Sequence, residues 1–344
     1  MTRQRLSPGL RRSKGFSLIE LLISMTIGLV IVGAALSAYL GASTAGKVSE
    51  AQSRMNEDAQ AALNILTQQL RMVGNNPNQA NRDPAFRRNP VFDPTYVGGT
   101  STAYGTTSFT VLPAGYTTST FSIVGCDGKF SNLTTTTIAG LTCASGTTTL
   151  PDSIAVSYEA DRYNTVPTAA GLPTDCIGQT LNTVTATFSS PVGTLGTFTV
   201  ADSRFYIGTS TATVSPTPTL YCKGNGGTSL PTTAQPLVEN IEDMQFTYGT
   251  VSATNTSTTA TVAGYLPAEQ VVNETSLALL PLADRWGKVL SVRVCILVRS
   301  ETFAAPDAAS AKYDDCQGNR NVPAPDLRLR RAYSTTVVLR NRRL

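Results

Sequence analysis

The chain reads as an α+β protein in which one long N-terminal α-helix packs on a β-rich globular head. Three observations predict this. From Phe16 to Leu40 there are 25 residues with a single charge, Glu20; an amphipathic stretch then continues at helical spacing to Val73; and beyond Pro77 come short β-branched runs separated by Thr, Ser, Gly and Pro tracts.

The apolar run, at 1.5 Å per residue, makes about 37 Å of helix, enough to cross a bilayer. A cleaved secretory signal has a core of about 7 to 15 apolar residues followed by a small-residue cut site. This run is longer and carries an acid near its start. Arg3, Arg5, Arg11, Arg12 and Lys14 precede it and no basic residue follows it closely, so the positive-inside rule puts the N-terminus in the cytoplasm and everything after about residue 41 outside it. Ser24 and Gly28 are four residues apart, as are Gly33, Ser37 and Gly41, and they form small-residue stripes of the kind that let membrane helices approach closely. Such residues are also common in any membrane helix. Glu20 is more informative: an acid within a membrane segment costs several kcal/mol unless it is paired or reaches the interface. The plain alternative is that it complements the positive end of the helix dipole.

Beyond Gly41, Val48, Met55, Ala59, Ala62, Leu63, Leu66, Leu70 and Val73 share one face, and Gln52, Arg54, Asn56, Glu57, Gln60, Asn64 and Gln68 the other. The sequence "GNNP" at 74–77 ends the helix, with Gly as C-cap and Pro forbidding continuation. No proline interrupts the apolar segment, so one continuous helix is expected, weakest at Gly28 and Gly33. The domain division that follows is a basic leader at 1–15, a membrane or filament-core helix at 16–40, its amphipathic continuation at 41–74, and the head at 75–344.

In the head, strands are predicted at 108–112, 121–124, 153–158, 183–188, 204–208, 244–249, 289–298 and 332–340. A short helix is predicted at 235–244, where Leu237, Val238, Ile241 and Met244 share one helical face. The Thr-rich tract at 250–264 reads as a surface loop. No internal repeat and no interdomain linker is visible.

Composition limits the chemistry. The formal charge of +4 comes from the leader: without its five basic residues, 22 basic side chains face 23 acids. Near-neutrality gives no global case for nucleic-acid binding. There is no histidine, which removes Ser-His-Asp, Cys-His and His-metal sites together. Asp161, Glu239, Glu242 and Asp243 bracket no reacting centre, so no catalytic residue, metal or cofactor is assigned and the protein reads as a non-enzyme. Six cysteines, Cys126, Cys143, Cys176, Cys222, Cys295 and Cys316, lie beyond the apolar segment without a CxxC pair, which fits disulfides in an oxidising compartment. Six cysteines allow fifteen connectivities. The basic C-terminus, with Arg328, Arg330, Arg331, Arg340, Arg342 and Arg343, reads as the solvent side of the last strand and an edge-protecting tail more readily than as a DNA patch.

The stretch "KGFSLIELLISM", Lys14 to Met25, closely resembles the signal of type IV prepilins and of type II secretion pseudopilins. The resemblance implies a type IV pilin-like fold, cleavage between Gly15 and Phe16 by the prepilin peptidase, N-methylation of Phe16, and a role for Glu20 in pairing with the new amine of a neighbouring subunit. A structure of this chain alone is then expected to show Glu20 unpaired. Within the head, "PDSIAVSYEADR" (151–162), "TLYCKG" (219–224), "QPLVENIEDMQFTYG" (235–249), "WGKVLSVRVCILVRS" (286–300) and "RRAYSTTVVLRNR" (330–342) look like the blocks of PilW-type minor pilins and are also similar to J-type pseudopilins. In those blocks Cys176 precedes Cys222, and that disulfide is the first expected. Proximity in sequence suggests Cys126 with Cys143 and Cys295 with Cys316.

The function this implies is that of a minor pilin, a structural subunit that helps prime type IV pilus assembly at or near the filament tip. The alternatives are a J-like pseudopilin of type II secretion and a membrane-anchored surface-binding protein or adhesin. Expected partners are other minor pilins and the major pilin through the N-terminal helix, the prepilin peptidase, a tip adhesin, and the inner membrane before assembly. The head would be periplasmic first and extracellular on the filament afterwards.

Overall fold

A computed structural model describes residues 15–74, 122–135, 138–146, 150–181, 183–187, 194–210, 216–227, 233–252, 261–278, 280 and 282–341. The leader, the strand predicted at 108–112, most of the Thr-rich tract at 250–264, and Arg342 and Arg343 lie outside the described residues. Two compact units are formed, residues 1–50 and 51–344.

Helix α1 runs Leu18–Met72 without interruption, through both Gly28 and Gly33. In its second unit the buried residues are Ala51, Met55, Ala59, Ala62, Leu66 and Leu70, a 3–4–3–4 spacing that presents one stripe to the head. Its end follows from Gly74: the Val73 N–H tightens onto the Leu70 carbonyl, and Gly74, at φ 68°, turns out of the helix and donates to the Ser157 carbonyl.

The head holds ten described strands in two antiparallel sheets. The first comprises β1 (Ile123–Cys126), β2 (Ser153–Glu159), β4 (Thr194–Ser210), β5 (Thr217–Lys223) and β6 (Gln235–Glu239) in that order, with β3 (Thr183–Thr187) paired to the first part of β4. The second is ordered β10 (Arg328–Val338), β9 (Val289–Phe303), β7 (Ile241–Thr250) and β8 (Gly264–Leu266). Two short helices, α2 (Ala268–Asn273) and α3 (Leu282–Gly287), precede β9. The α1 stripe joins Ile123, Ile154, Val156, Phe205 and Leu220 of the first sheet and Met244, Phe246, Tyr248, Val292, Val294 and Ile296 of the second in one core. The sheets meet where Gly125 faces the Tyr248 phenol, and a Cβ at 125 would overlap the phenol oxygen.

The helix predicted at 235–244 is not formed. Residues 235–239 are β6 and 241–250 are β7, and Asn240, at φ 64°, carries the chain from one sheet into the other. The helical look had a different cause. Ile241 pairs with Val298 and Asp243 with Leu297, so an extra residue is bulged out. Ile241 and Met244 are thereby both turned inward three residues apart, which is a helix-like spacing on a strand.

No repeat is visible at the length of a structural unit, yet one five-residue turn is used twice. In Asp175-Cys176-Ile177-Gly178-Gln179, one carboxylate oxygen of Asp175 accepts the N–H of Ile177 and of Gln179, and the Asp175 N–H donates to the Gln179 carbonyl. In Asp315-Cys316-Gln317-Gly318-Asn319, Asp315 does the same with Gln317 and Asn319. The glycines sit at φ 78° and 90°, where a side chain is strained. Each turn is latched to a strand, Cys176 to Cys222 on β5 and Cys316 to Cys295 on β9, while Cys126 of β1 is joined to Cys143.

Candidate functional site

The residues singled out by the sequence lie at the start of α1. Gly15, Phe16 and Ser17 precede the helix, and the Ser17 carbonyl accepts the first helical N–H groups, from Glu20 at 3.0 Å and Leu21 at 3.1 Å. Ser17 is therefore the N-cap residue and Glu20 lies in the first turn, at the positive end of the helix dipole. Phe16 is 82% exposed, and Leu18, Ile19, Leu29, Val30 and Tyr39 are each at least 66% exposed. Glu20 is exposed as well, and among the described residues its carboxylate has no hydrogen-bond or ion-pair partner.

Four hydroxyls of this segment are satisfied by the helix itself. The hydroxyls of Ser24, Thr26, Ser37 and Thr44 donate to the carbonyls of Leu21, Ile23, Ala34 and Leu40 at 2.8–2.9 Å. A hydroxyl bonded to its own helix presents no orphaned donor to hydrocarbon. Helix α1, Leu18–Met72, contains a window with a mean hydropathy of 2.3 and is long and apolar enough to cross a membrane. Glu20 is the one charged side chain between Phe16 and Leu40.

The other candidates have local work. Asp161 caps its own turn, accepting the N–H of Tyr163 and Asn164. Glu242 grips the Arg330 guanidinium with both oxygens, at 2.5 and 3.1 Å, and Asp326 holds its third nitrogen at 2.7 Å. Arg330 is thus buried in a structural ion pair. Arg328 donates to the Ser300 carbonyl and covers the Phe303 ring at 4.8 Å. Of the six C-terminal arginines these two are spent inside the head, and Arg331 and Arg340 are exposed. Asn56, read from sequence as part of the polar face of α1, is half-buried and accepts the Tyr333 hydroxyl at 2.6 Å.

Two carboxylates that sequence did not single out hold the sheet junction. Asp127 accepts the N–H groups of Ala268 and Glu269 at the start of α2, at 2.7 and 2.8 Å. Asp152 is buried and accepts the N–H of Gly128 at 3.0 Å and of Phe246 at 2.8 Å, while its own N–H donates to the Met244 carbonyl at 2.7 Å. Burial pushes the Asp152 carboxyl from 3.8 up to about 7 against the lowering effect of those two bonds, with Asp127 and Asp243 adding repulsion. Asp152, the residue before β2 of the first sheet, thereby ties that strand to β7 of the second.

Comparison with known families bears on both ends of the chain. The prokaryotic N-terminal methylation motif matches residues 10–36, bracketing Gly15, Phe16 and Glu20, and type IV pilus-assembly protein W, PilW, matches residues 204–341. Together the two matches support a PilW-type member of the type IV prepilin family. The PilW match runs from the middle of β4 to just past β10 and so includes the whole second sheet and the Cys295–Cys316 latch. Among solved structures the chain is similar to a type IV-like pilin from Thermus thermophilus, at 12% identity over 56% of this chain and 80% of that one, with a TM-score of 0.25, too slight a likeness to carry an argument. No curated protein was similar enough to match.

Proposed function

We propose that this PilW-type chain acts as a minor pilin that helps prime pilus assembly at or near the filament tip, and that its exposed Glu20, unpaired among the described residues, is the assembly contact. The carboxylate stands near the start of an otherwise apolar helix, four residues after the Gly15–Phe16 junction. While the leader is attached, no free amine exists at Phe16. Cleavage by the prepilin peptidase creates one, and N-methylation keeps it cationic. In lipid an ion pair is strongly favoured over two isolated charges, so an incoming helix is drawn to the position at which its Glu20 meets a neighbour's amine. Because the amine lies four residues before the carboxylate, that pairing sets neighbours about one helical turn apart along the axis.

The same reading gives the location: the basic leader in the cytoplasm, the helix in the inner membrane, the head in the periplasm, and the mature subunit on the filament. Other minor pilins, the major pilin and a tip adhesin are the partners this reading names. The experiment is a pair of variants expressed in a pilus-forming host. Gly15→Ala is expected to leave an uncut membrane precursor, and Glu20→Ala to be cut normally but to be lost from sheared filaments. Normal incorporation of Glu20→Ala would sink the assembly role.

A further inference from the structure

Both sheets of the head end in edge strands, and among the described residues one of those edges is open. β10, eleven residues long, borders the second sheet, whereas β8 has three residues, β6 and β3 five each, and β1 four that are all buried. The Leu339 N–H donates to the Leu290 carbonyl, and this fixes the alternation along β10. Tyr333, Thr335 and Val337 aim their backbone groups at β9, and Ala332, Ser334, Thr336 and Val338 aim theirs away. Among the described residues nothing takes up those outward groups. Ser334, Thr336 and Val338 are exposed, Val338 by 58%.

Natural sheets blunt a free edge with charges, prolines or bulges. Between Ala332 and Val338 there is neither charge nor proline, and the irregularity in the β10–β9 pairing falls earlier, between Arg328 and Arg330. The stretch is instead Ala-Tyr-Ser-Thr-Thr-Val-Val, a sequence suited to pairing with another strand. Its two ends are basic: Arg331 on the strand and Arg340, in the turn two residues past its end, are both exposed, and β10 contains no acid. That charge pattern selects the occupant. A second copy paired antiparallel about Thr335 would set the Arg331 end of each copy beside the Arg340 end of the other, like charge on like.

We propose that the outward edge of β10, Ala332 to Val338, docks an extended segment of a different protein that carries an acid at each end and adds to the second sheet as a fifth strand. Backbone hydrogen bonds supply the affinity and the paired acids supply the register and the choice of partner. The proposal extends the assembly reading by naming the head surface that a neighbouring component would use, and it is separable from that reading because Glu20 is no part of it.

The test uses the full chain in detergent micelles and a fluorescein-labelled nonapeptide, Glu-Val-Thr-Val-Thr-Val-Thr-Val-Glu, with a second peptide ending in lysines, read by fluorescence anisotropy at low salt. The acid-ended peptide is expected to bind about tenfold more tightly than the lysine-ended one. Thr336→Pro removes an outward N–H that β9 does not use, so the fold is kept while peptide affinity falls about fivefold or more. The double variant Arg331→Glu/Arg340→Glu leaves the backbone alone and is expected to reverse the preference between the peptides. Glu20→Ala is expected to bind as the parent does. Equal binding of both peptides together with indifference to Thr336→Pro would overturn the proposal and leave the Glu20 assembly role standing. Self-association of the chain that Thr336→Pro abolishes would also overturn it, in favour of a second copy.

Discussion

Asp152 gives the head a pH dependence of stability whose sign and size can be worked out. Its carboxyl is raised from 3.8 to about 7 by burial, with Tyr248, Asp127 and Asp243 as the titratable groups around it. In the unfolded chain it titrates near 4. A carboxyl raised by folding binds its proton more tightly in the native state, so its stabilising contribution is full below pH 4 and is lost as pH rises through about 7. Over the whole range the loss is about 4 kcal/mol, of which about 3 kcal/mol falls between pH 5 and pH 8. Asp152→Asn removes the titration and keeps the shape. It also turns an amide NH2 toward one of the two N–H donors now held by Asp152, which costs about 1–3 kcal/mol at acid pH. The variant is therefore expected to be less stable than the parent at pH 5 and to match or exceed it by pH 8. The assay is urea unfolding of the full chain in micelles at several pH values, followed by the chain's single tryptophan, Trp286, which is buried edge-on to Tyr248 at 5.0 Å. Parallel stability curves for parent and variant between pH 5 and pH 8 would refute the reasoning.

Two further outcomes follow from the packing. The Cys176–Cys222 bridge closes a loop with a separation of 46 residues and Cys126–Cys143 one of 17, so replacing the first pair by alanines is expected to cost about 4 kcal/mol and the second about 3, read from urea midpoints. Gly125→Ala forces a methyl into the Tyr248 phenol and is expected to cost more than 2 kcal/mol. Tyr248→Phe removes a buried hydroxyl that has no hydrogen-bond partner among the described residues, so Gly125→Ala/Tyr248→Phe is expected to recover part of that loss by thermal unfolding.

The features legible in the sequence were those that depend on neighbours along the chain. Helix α1 follows from local periodicity and from a Gly that leaves it, and the strands at 153–159 and 289–303 follow from runs of β-branched residues. The helix expected at 235–244 failed because a bulge between Ile241 and Asp243 imitates helical spacing, and a bulge is defined by the partner strand. Asp152 was missed for a related reason: its two donors, Gly128 and Phe246, come from distant parts of the chain, and nothing in "LPDSIAV" announces them. The paired Asp-Cys-x-Gly-x turns did leave a signal, visible when the surroundings of Cys176 and Cys316 are set side by side. Arg330 was read as solvent-facing because Glu242 and Asp326 reach it only through the β10–β9–β7 pairing. Glu20 stands apart from these, since a charge inside an apolar run is conspicuous without any structure.

The account turns on Phe16 becoming the first residue of the mature subunit with Glu20 one turn along. The most direct measurement is mass spectrometry of the N-terminal peptide of this chain recovered from sheared filaments. A peptide beginning at N-methylated Phe16 is expected; a filament-borne chain that still carries its leader, or that begins at any other residue, would overturn the assembly role of Phe16 and Glu20.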